Sequence, residues 1–143
     1  MRRCTGKFAA RKSPPAIFDG LAEVVRKLAE SHVLVVVTEN TAGVVRAFLE
    51  EHGLEGCFRA VYGLDMRASK VEKILMAKSH CAAEGEMVFM VGDSLSDVRA
   101  AKEAGVESIA VSWGHQSVGR LVGAVPDHVV SLPEELIQIT QRA

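Results

Sequence analysis

The stretch MVFMVGDSLSDVRAA, Met87–Ala101, decides the fold. The apolar run Met87–Val91 is stopped by Gly92. Two carboxylates follow, Asp93 and Asp97, and a helical pattern opens between them. A buried strand that ends in a glycine and an acid and then turns into a helix is the repeating unit of open α/β sheets, which hold ligands at their carboxyl edge. Asp93 stands at the strand tip, and Asp97 lies one helical turn further on the same side. Two hard oxygen donors at this spacing suit Mg²⁺, which takes one or two carboxylates and shares its other positions with water and phosphate. A plainer reading stands beside this one. Asp93 or Ser94 caps the helix, and Asp97 is a first-turn acid favoured by the helix dipole.

The same alternation extends outward in both directions. Leu21, Val24, Val25 and Leu28 recur at helical spacing after Gly20, and Val33–Val37 predicts a strand buried on both faces. Thr41–His52 predicts a helix with Val44, Val45, Phe48 and Leu49 inward and Gly53 as its stop. Phe58–Tyr62 predicts a strand closed by Gly63, and Ser69–Ala82 a helix with Val71, Ile74 and Leu75 on its apolar face. Beyond Met87–Val91 come a helix Leu95–Ala104 stopped by Gly105, a strand Ser108–Val111 and a short helix near Val118–Val122. A strand Asp127–Val130 and a helix Pro133–Thr140 close the pattern. Helices alternating with doubly buried strands imply a parallel sheet covered on both faces, a Rossmann-like three-layer α/β/α architecture.

Composition narrows the function classes. The 143 residues are 48% hydrophobic, enough for one domain with a sizeable core. A net charge of −1 gives no global field favouring nucleic acid or a membrane surface. Cys4, Cys57 and Cys81 are odd in number and widely spaced, which argues against a disulfide framework or a zinc site and suits a reducing cytoplasm. No apolar run approaches the ~20 residues of a membrane-spanning helix. The first twelve residues carry Arg2, Arg3, Lys7, Arg11 and Lys12, with no apolar segment of signal-peptide length behind them. This segment reads as a solvated basic tail or the frayed remnant of a larger structure, ahead of a transit peptide, for which it lacks a clear amphipathic pattern.

In a parallel sheet all strand ends share one edge, and each delivers polar groups there. The first apolar strand ends in Thr38, Glu39, Asn40 and Thr41, where a hydroxyl and the free N–H groups of the next helix would bind an anion. Asn40 or Thr41 also serves as a simple N-cap. Lys70 opens the third helix, against the positive end of its dipole, which points to an anionic partner. The plain alternative is a solvated surface lysine. Thr38, Lys70, Asp93 and Asp97 on one edge describe a site for phosphate and a divalent cation.

Three segments in order, VLVVVTENTAG, RASKVEKIL and VFMVGDSLSDVRAAKEAGVESIAVSWGH, resemble the second, third and fourth motifs of the haloacid dehalogenase superfamily of hydrolases. The resemblance runs from about Pro14 to Leu136. The segment SIAVSWGH followed by PDHVVSLPEEL is similar to the phosphoglycolate phosphatase branch. The resemblance implies Mg²⁺-dependent hydrolysis of a small phosphorylated metabolite. It implies that Thr38 hydrogen-bonds the transferring phosphoryl group, and Glu39, Asn40 and Lys70 join it as candidate phosphate-binding residues. Lys70 would neutralise phosphate charge and hold the nucleophile, Asp93 would ligate Mg²⁺, and Asp97 would stand in or just behind the metal shell. Trp113 and Gly114 match a pair common in the family. Trp113 reads as a packing residue and His115 as a rim residue.

One departure governs the functional reading. The family's chemistry begins at a strand ending DxDGT, whose first Asp attacks phosphorus and whose second is general acid and base. No DxD occurs in this sequence. Phe18-Asp19-Gly20 echoes it, but Ser13-Pro14-Pro15-Ala16-Ile17 before it makes a poor central strand, so it reads as the start of the helix that follows. The expectation is therefore a core over residues 14–143 that lacks its first strand and its cap, with residues 1–13 a basic tail or cap remnant. The position between the strands ending at Thr38 and Asp93 would then be filled by closure of its flanks, by another chain in a homodimer, or by Met1–Ile17, whose composition disfavours it. Three functional alternatives follow: a phosphatase with little turnover, a phosphate- and Mg²⁺-binding module without chemistry, or a chain whose DxDGT strand is encoded upstream of Met1.

Overall fold

Strands and helices alternate through the residues that the computed structural model describes, 3–5, 20–82, 86–112 and 125–141. They are β1 (Arg3–Thr5), α1 (Leu21–Ser31), β2 (His32–Val37), α2 (Ala42–Glu51), β3 (Phe58–Tyr62), α3 (Lys70–Cys81), β4 (Val88–Gly92), α4 (Leu95–Ala104), β5 (Glu107–Val111), β6 (His128–Val130) and α5 (Glu134–Gln141). All six strands are parallel, in the order β3-β2-β1-β4-β5-β6.

The side-chain period of two divides β2 and β4 between two cores. Leu34 and Val36 of β2, with Phe89 and Val91 of β4, pack against Val24, Val25 and Leu28 of α1, Val45 and Leu49 of α2, and Leu136 of α5. Val35, Val37, Val88 and Met90 point the other way, against Ile74 and Ala77 of α3 and Ala100, Ala101 and Ala104 of α4. The three-layer α/β/α architecture follows from that division. Burial of a side chain such as Phe89 or Ile109, each 1% exposed, contributes roughly 1.5–3 kcal/mol.

Helix ends form where their capping chemistry stands. Ser69 and Glu72 make a reciprocal capping box on α3, Ser94 accepts from the Asp97 amide at the start of α4, and Gly105 in the left-handed region ends α4. Gly20, also left-handed, stands at the start of α1, while Phe18 of the Phe18-Asp19-Gly20 segment lies outside the described residues. Asp19 itself, the helix expected near Val118–Val122, and Trp113, Gly114 and His115 lie outside the described residues. Among those described, no helix is long and apolar enough to cross a membrane.

Two expectations need correction. The central position of the sheet is not empty: Arg3–Thr5, within the segment expected to be a basic tail, pairs with β2 on one side and β4 on the other. Three residues of backbone suffice, because the β2 and β4 ladders present N–H and C=O groups whatever the side chains between them. The described residues of this strand pair up to the level of Leu34 and Phe89. The inward faces of α2 and α3 are also rotated from their expected positions. Val45 and Leu49 are buried while Val44 is exposed, and α3 buries Lys73, Ile74 and Ala77 while Leu75 faces out.

Candidate active site

Strand order reverses at β1. The chain proceeds outward through β2 and β3 on one side and through β4, β5 and β6 on the other. Ligands in open α/β sheets bind outside the carboxyl ends at such a switch point. The tips flanking it are Thr38, after β2, and Asp93, after β4, each 5% exposed.

The β4 tip is built around the Asp97 carboxylate, which is 1% exposed. One oxygen, Oδ2, accepts the Asp93 backbone N–H at 3.1 Å. The other, Oδ1, accepts Lys70 Nζ at 2.8 Å. Lys70 Nζ donates also to Ser96 Oγ at 2.8 Å and stands 3.6 Å from Glu39 Oε1, on a largely exposed side chain. Gly92 makes room for this arrangement: a Cβ there would meet three Asp97 side-chain atoms at 2.3–2.5 Å. The anionic partner anticipated for Lys70 from its unfavourable helix position is thus found first within the chain, in Asp97.

The β2 tip is a pinned turn. The Thr38 N–H donates to the Tyr62 carbonyl at 3.0 Å, and the Leu64 N–H donates to the Asn40 carbonyl at 2.8 Å. The Asn40 N–H donates to Thr38 Oγ1 at 3.1 Å, which leaves the hydroxyl proton of Thr38 to donate elsewhere. The Ala42 N–H at the start of α2 donates to Asp65 Oδ1 at 3.0 Å. One of the N–H groups expected to be free for an anion at the α2 N-terminus is therefore already taken by a carboxylate of the chain. The Ala42 amide is the main reason the Asp65 carboxyl lies below the usual carboxylate range, with smaller help from the positive charges of Lys73 and Arg46.

The structure therefore brings together Thr38, Glu39, Asn40, Lys70, Asp93 and Asp97 at one edge. Sequence reasoning missed Asp65, Lys73 and Ser96. Asp65 had a signal, since it follows the stop of β3 on the same edge. Lys73 lies three residues beyond Lys70, a spacing that puts two helical residues on one side.

The donor set bears on Mg²⁺. Among the described residues no group of three or more His, Cys, Asp or Glu side chains is placed to hold a metal. That excludes an all-protein cage there, but it fits Mg²⁺, which is ordinarily held by one or two carboxylates with phosphate and water. Asp93 would be the ligand. Asp97, with both oxygens accepting N–H groups, would stand behind it and fix Lys70 and the Asp93 backbone.

The model of the haloacid dehalogenase-like hydrolase family matches residues 5–111, most of the chain. The chain belongs to this family. A phosphoglycolate phosphatase of Synechococcus elongatus is 31% identical over 127 residues, covering 87% of this chain and 60% of that protein. The probable phosphatase IndB of Dickeya dadantii is 32% identical over 130 residues, covering 88% of this chain and 56% of its own length. Both are longer, and this haloacid dehalogenase-like chain spans less than two thirds of either. A haloacid dehalogenase-like hydrolase from Streptococcus pneumoniae shares the fold at a TM-score of 0.75 and 21% identity, over 85% of this chain and 59% of that one.

Proposed function

We propose that the Thr38–Lys70–Asp93 edge binds the phosphate group of a small phosphorylated metabolite together with Mg²⁺, as a phosphomonoesterase site of the phosphoglycolate phosphatase kind. The observation that carries this reading is the convergence of a buried hydroxyl, a lysine locked on Asp97 and a strand-tip carboxylate at the switch point. Lys70 and the Thr38 hydroxyl supply a positive charge and a hydrogen-bond donor for phosphoryl oxygens. Mg²⁺ held by Asp93 would neutralise charge on the same group.

Hydrolysis needs a nucleophile as well, and the family's DxD pattern is not in the sequence, whose first carboxylate is Asp19. We therefore propose that this chain binds phosphate and turns phosphomonoesters over weakly or not at all. Loss of a nucleophile commonly removes several orders of magnitude of rate. A non-catalytic binding module is the second reading, favoured by the same missing pattern. Neither nucleic acid nor membrane belongs to the proposal, and a homodimer is checked by light scattering.

The experiment is Mg²⁺-dependent hydrolysis of an aryl phosphate, with Asp93→Asn as control, beside calorimetric titration of Mg²⁺ and orthophosphate. Binding without turnover above the control supports the proposal. Turnover that Asp93→Asn removes would reveal a nucleophile, and Asp19→Ala would test the first candidate. Binding of neither ligand by the folded chain would overturn the site.

A further inference from the structure

Lys73 is the charge in this region that the proposed chemistry leaves unused. It is 4% exposed, beside Ile74 and Ala77 on the face of α3 that packs on the sheet. Burial of an ammonium is unfavourable unless its protons find acceptors, and a methionine would fill similar space at lower cost. Nζ donates to the Thr38 carbonyl oxygen at 3.2 Å. Its charge also reaches Asp65, the residue that accepts the Ala42 amide at the start of α2.

These contacts make Lys73 part of a set. Four hydrogen bonds from 62–73 hold the 38–42 turn: the Tyr62 carbonyl on the Thr38 amide, the Leu64 amide on the Asn40 carbonyl, Asp65 on the Ala42 amide and Lys73 on the Thr38 carbonyl. The Thr38 peptide is thus gripped at both ends, and its side chain is oriented by the backbone so fixed. Lys73 is too deeply buried to meet a phosphate itself, whereas Lys70, three residues earlier, reaches the open edge.

We propose that Lys73 is a positioning residue for phosphate recognition. From within the α3–sheet interface its ammonium fixes the Thr38–Asn40 turn, so that the Thr38 hydroxyl is aimed at the ligand. Lys70 and Lys73 then divide the work along one helix face, the first toward the anion and the second toward the backbone that receives it. The role as stated rests on the phosphate-binding reading above, but the hold on the turn can be read without any ligand.

The test compares the full chain with Lys73→Met, Lys73→Arg and, as a destabilised core control, Ile74→Val. Orthophosphate affinity in saturating Mg²⁺, Mg²⁺ affinity alone, and hydrogen exchange of the Asn40 and Leu64 amides are measured. Lys73→Met is expected to weaken phosphate at least tenfold, to leave Mg²⁺ within about twofold, and to speed exchange at both amides. Lys73→Arg is expected to restore part of each loss, and Ile74→Val to move neither phosphate affinity nor those amides selectively. If Lys73→Met does not fold, Lys73→Gln takes its place. Unchanged phosphate affinity and unchanged exchange in a folded variant would overturn the proposal. If the parent chain binds no phosphate, the functional reading falls, and the Asn40 and Leu64 amides still decide whether Lys73 holds the turn.

Discussion

Lys70 Nζ lies 2.8 Å from Asp97 Oδ1, and the carboxylate it meets is almost wholly shut off from solvent. The two residues come from different helices, α3 and α4, so the pair ties the half of the sheet beginning at β2 to the half beginning at β4. Removal of one partner leaves the other charge buried. Lys70→Met is therefore expected to cost about 3 kcal/mol of unfolding free energy, since breaking buried pairs typically costs 3–5 kcal/mol and the Asp93 amide remains on the second oxygen. Asp97→Asn in the same background removes the stranded charge and should return at least half of the loss. A urea-denaturation double-mutant cycle measures this, and additive single effects would show that the pair does not couple.

Gly92 and Asp97 set the next expectation. An alanine methyl at position 92 would fall within 2.5 Å of the Asp97 Cβ, Cγ and Oδ2, all belonging to a side chain fixed at both oxygens. The carboxylate has to move, and the Lys70 contact moves with it. Gly92→Ala should destabilise the chain by about 1–3 kcal/mol, the range for overpacking, although alanine ordinarily suits a strand better than glycine. A crystal structure of the variant would show Lys70 Nζ displaced from Asp97. A wild-type melting temperature would mean that the β4 tip has slack.

The residues legible in sequence are those whose partners lie nearby along the chain or whose periodicity is strong. β2 and β4 appear as uninterrupted apolar runs because both faces are covered, and Thr38, Asp93 and Asp97 follow from where those runs stop. Lys70 was legible as a cation out of place, but its partner Asp97 was not, since contact between α3 and α4 exists only once the sheet is ordered. Asp65 and Lys73 were missed for the same reason. Asp65 acts from the turn after β3 and Lys73 from α3, each on a backbone group of the 38–42 turn that carries no sequence signature. β1 was illegible because a strand of three residues is too short to show an apolar pattern. Val44 and Leu75 misled because a run of apolar residues is wider than the face a helix buries.

The α3 N-terminus offers a local test. The Ser69 hydroxyl accepts the Glu72 amide at 3.1 Å, and the Glu72 carboxylate accepts the Ser69 amide at 2.8 Å. Ser69→Ala removes half of this reciprocal pair next to Lys70. A loss of about 1 kcal/mol is expected from the cap alone. The first turn of α3 should also fray, so amide exchange at Lys70–Lys73 should speed up more than exchange at the distant end of the helix. Equal acceleration along the whole helix would assign the loss to global stability.

Asp65 makes an acid-sensitive clamp. Its carboxyl is held below the ordinary carboxylate range first by the Ala42 amide, with Lys73 and Arg46 adding attraction. A folded-state pKa lower than that of the unfolded chain means that the ionised group favours folding. The contribution is complete above the unfolded value, near 4, and fades as the pH falls through the lower folded value. Asp65→Ala should therefore lower the melting temperature at pH 7, and the difference from wild type should narrow steadily below about pH 4. High salt should trim only the smaller share due to Lys73 and Arg46, because a hydrogen bond to a backbone amide is far less screened than charges acting through solvent. Thermal melts of both proteins between pH 2 and 7, at low and high salt, check both statements. A gap that stays constant down to the lowest pH would mean that Asp65 holds α2 by geometry alone and that its charge contributes nothing.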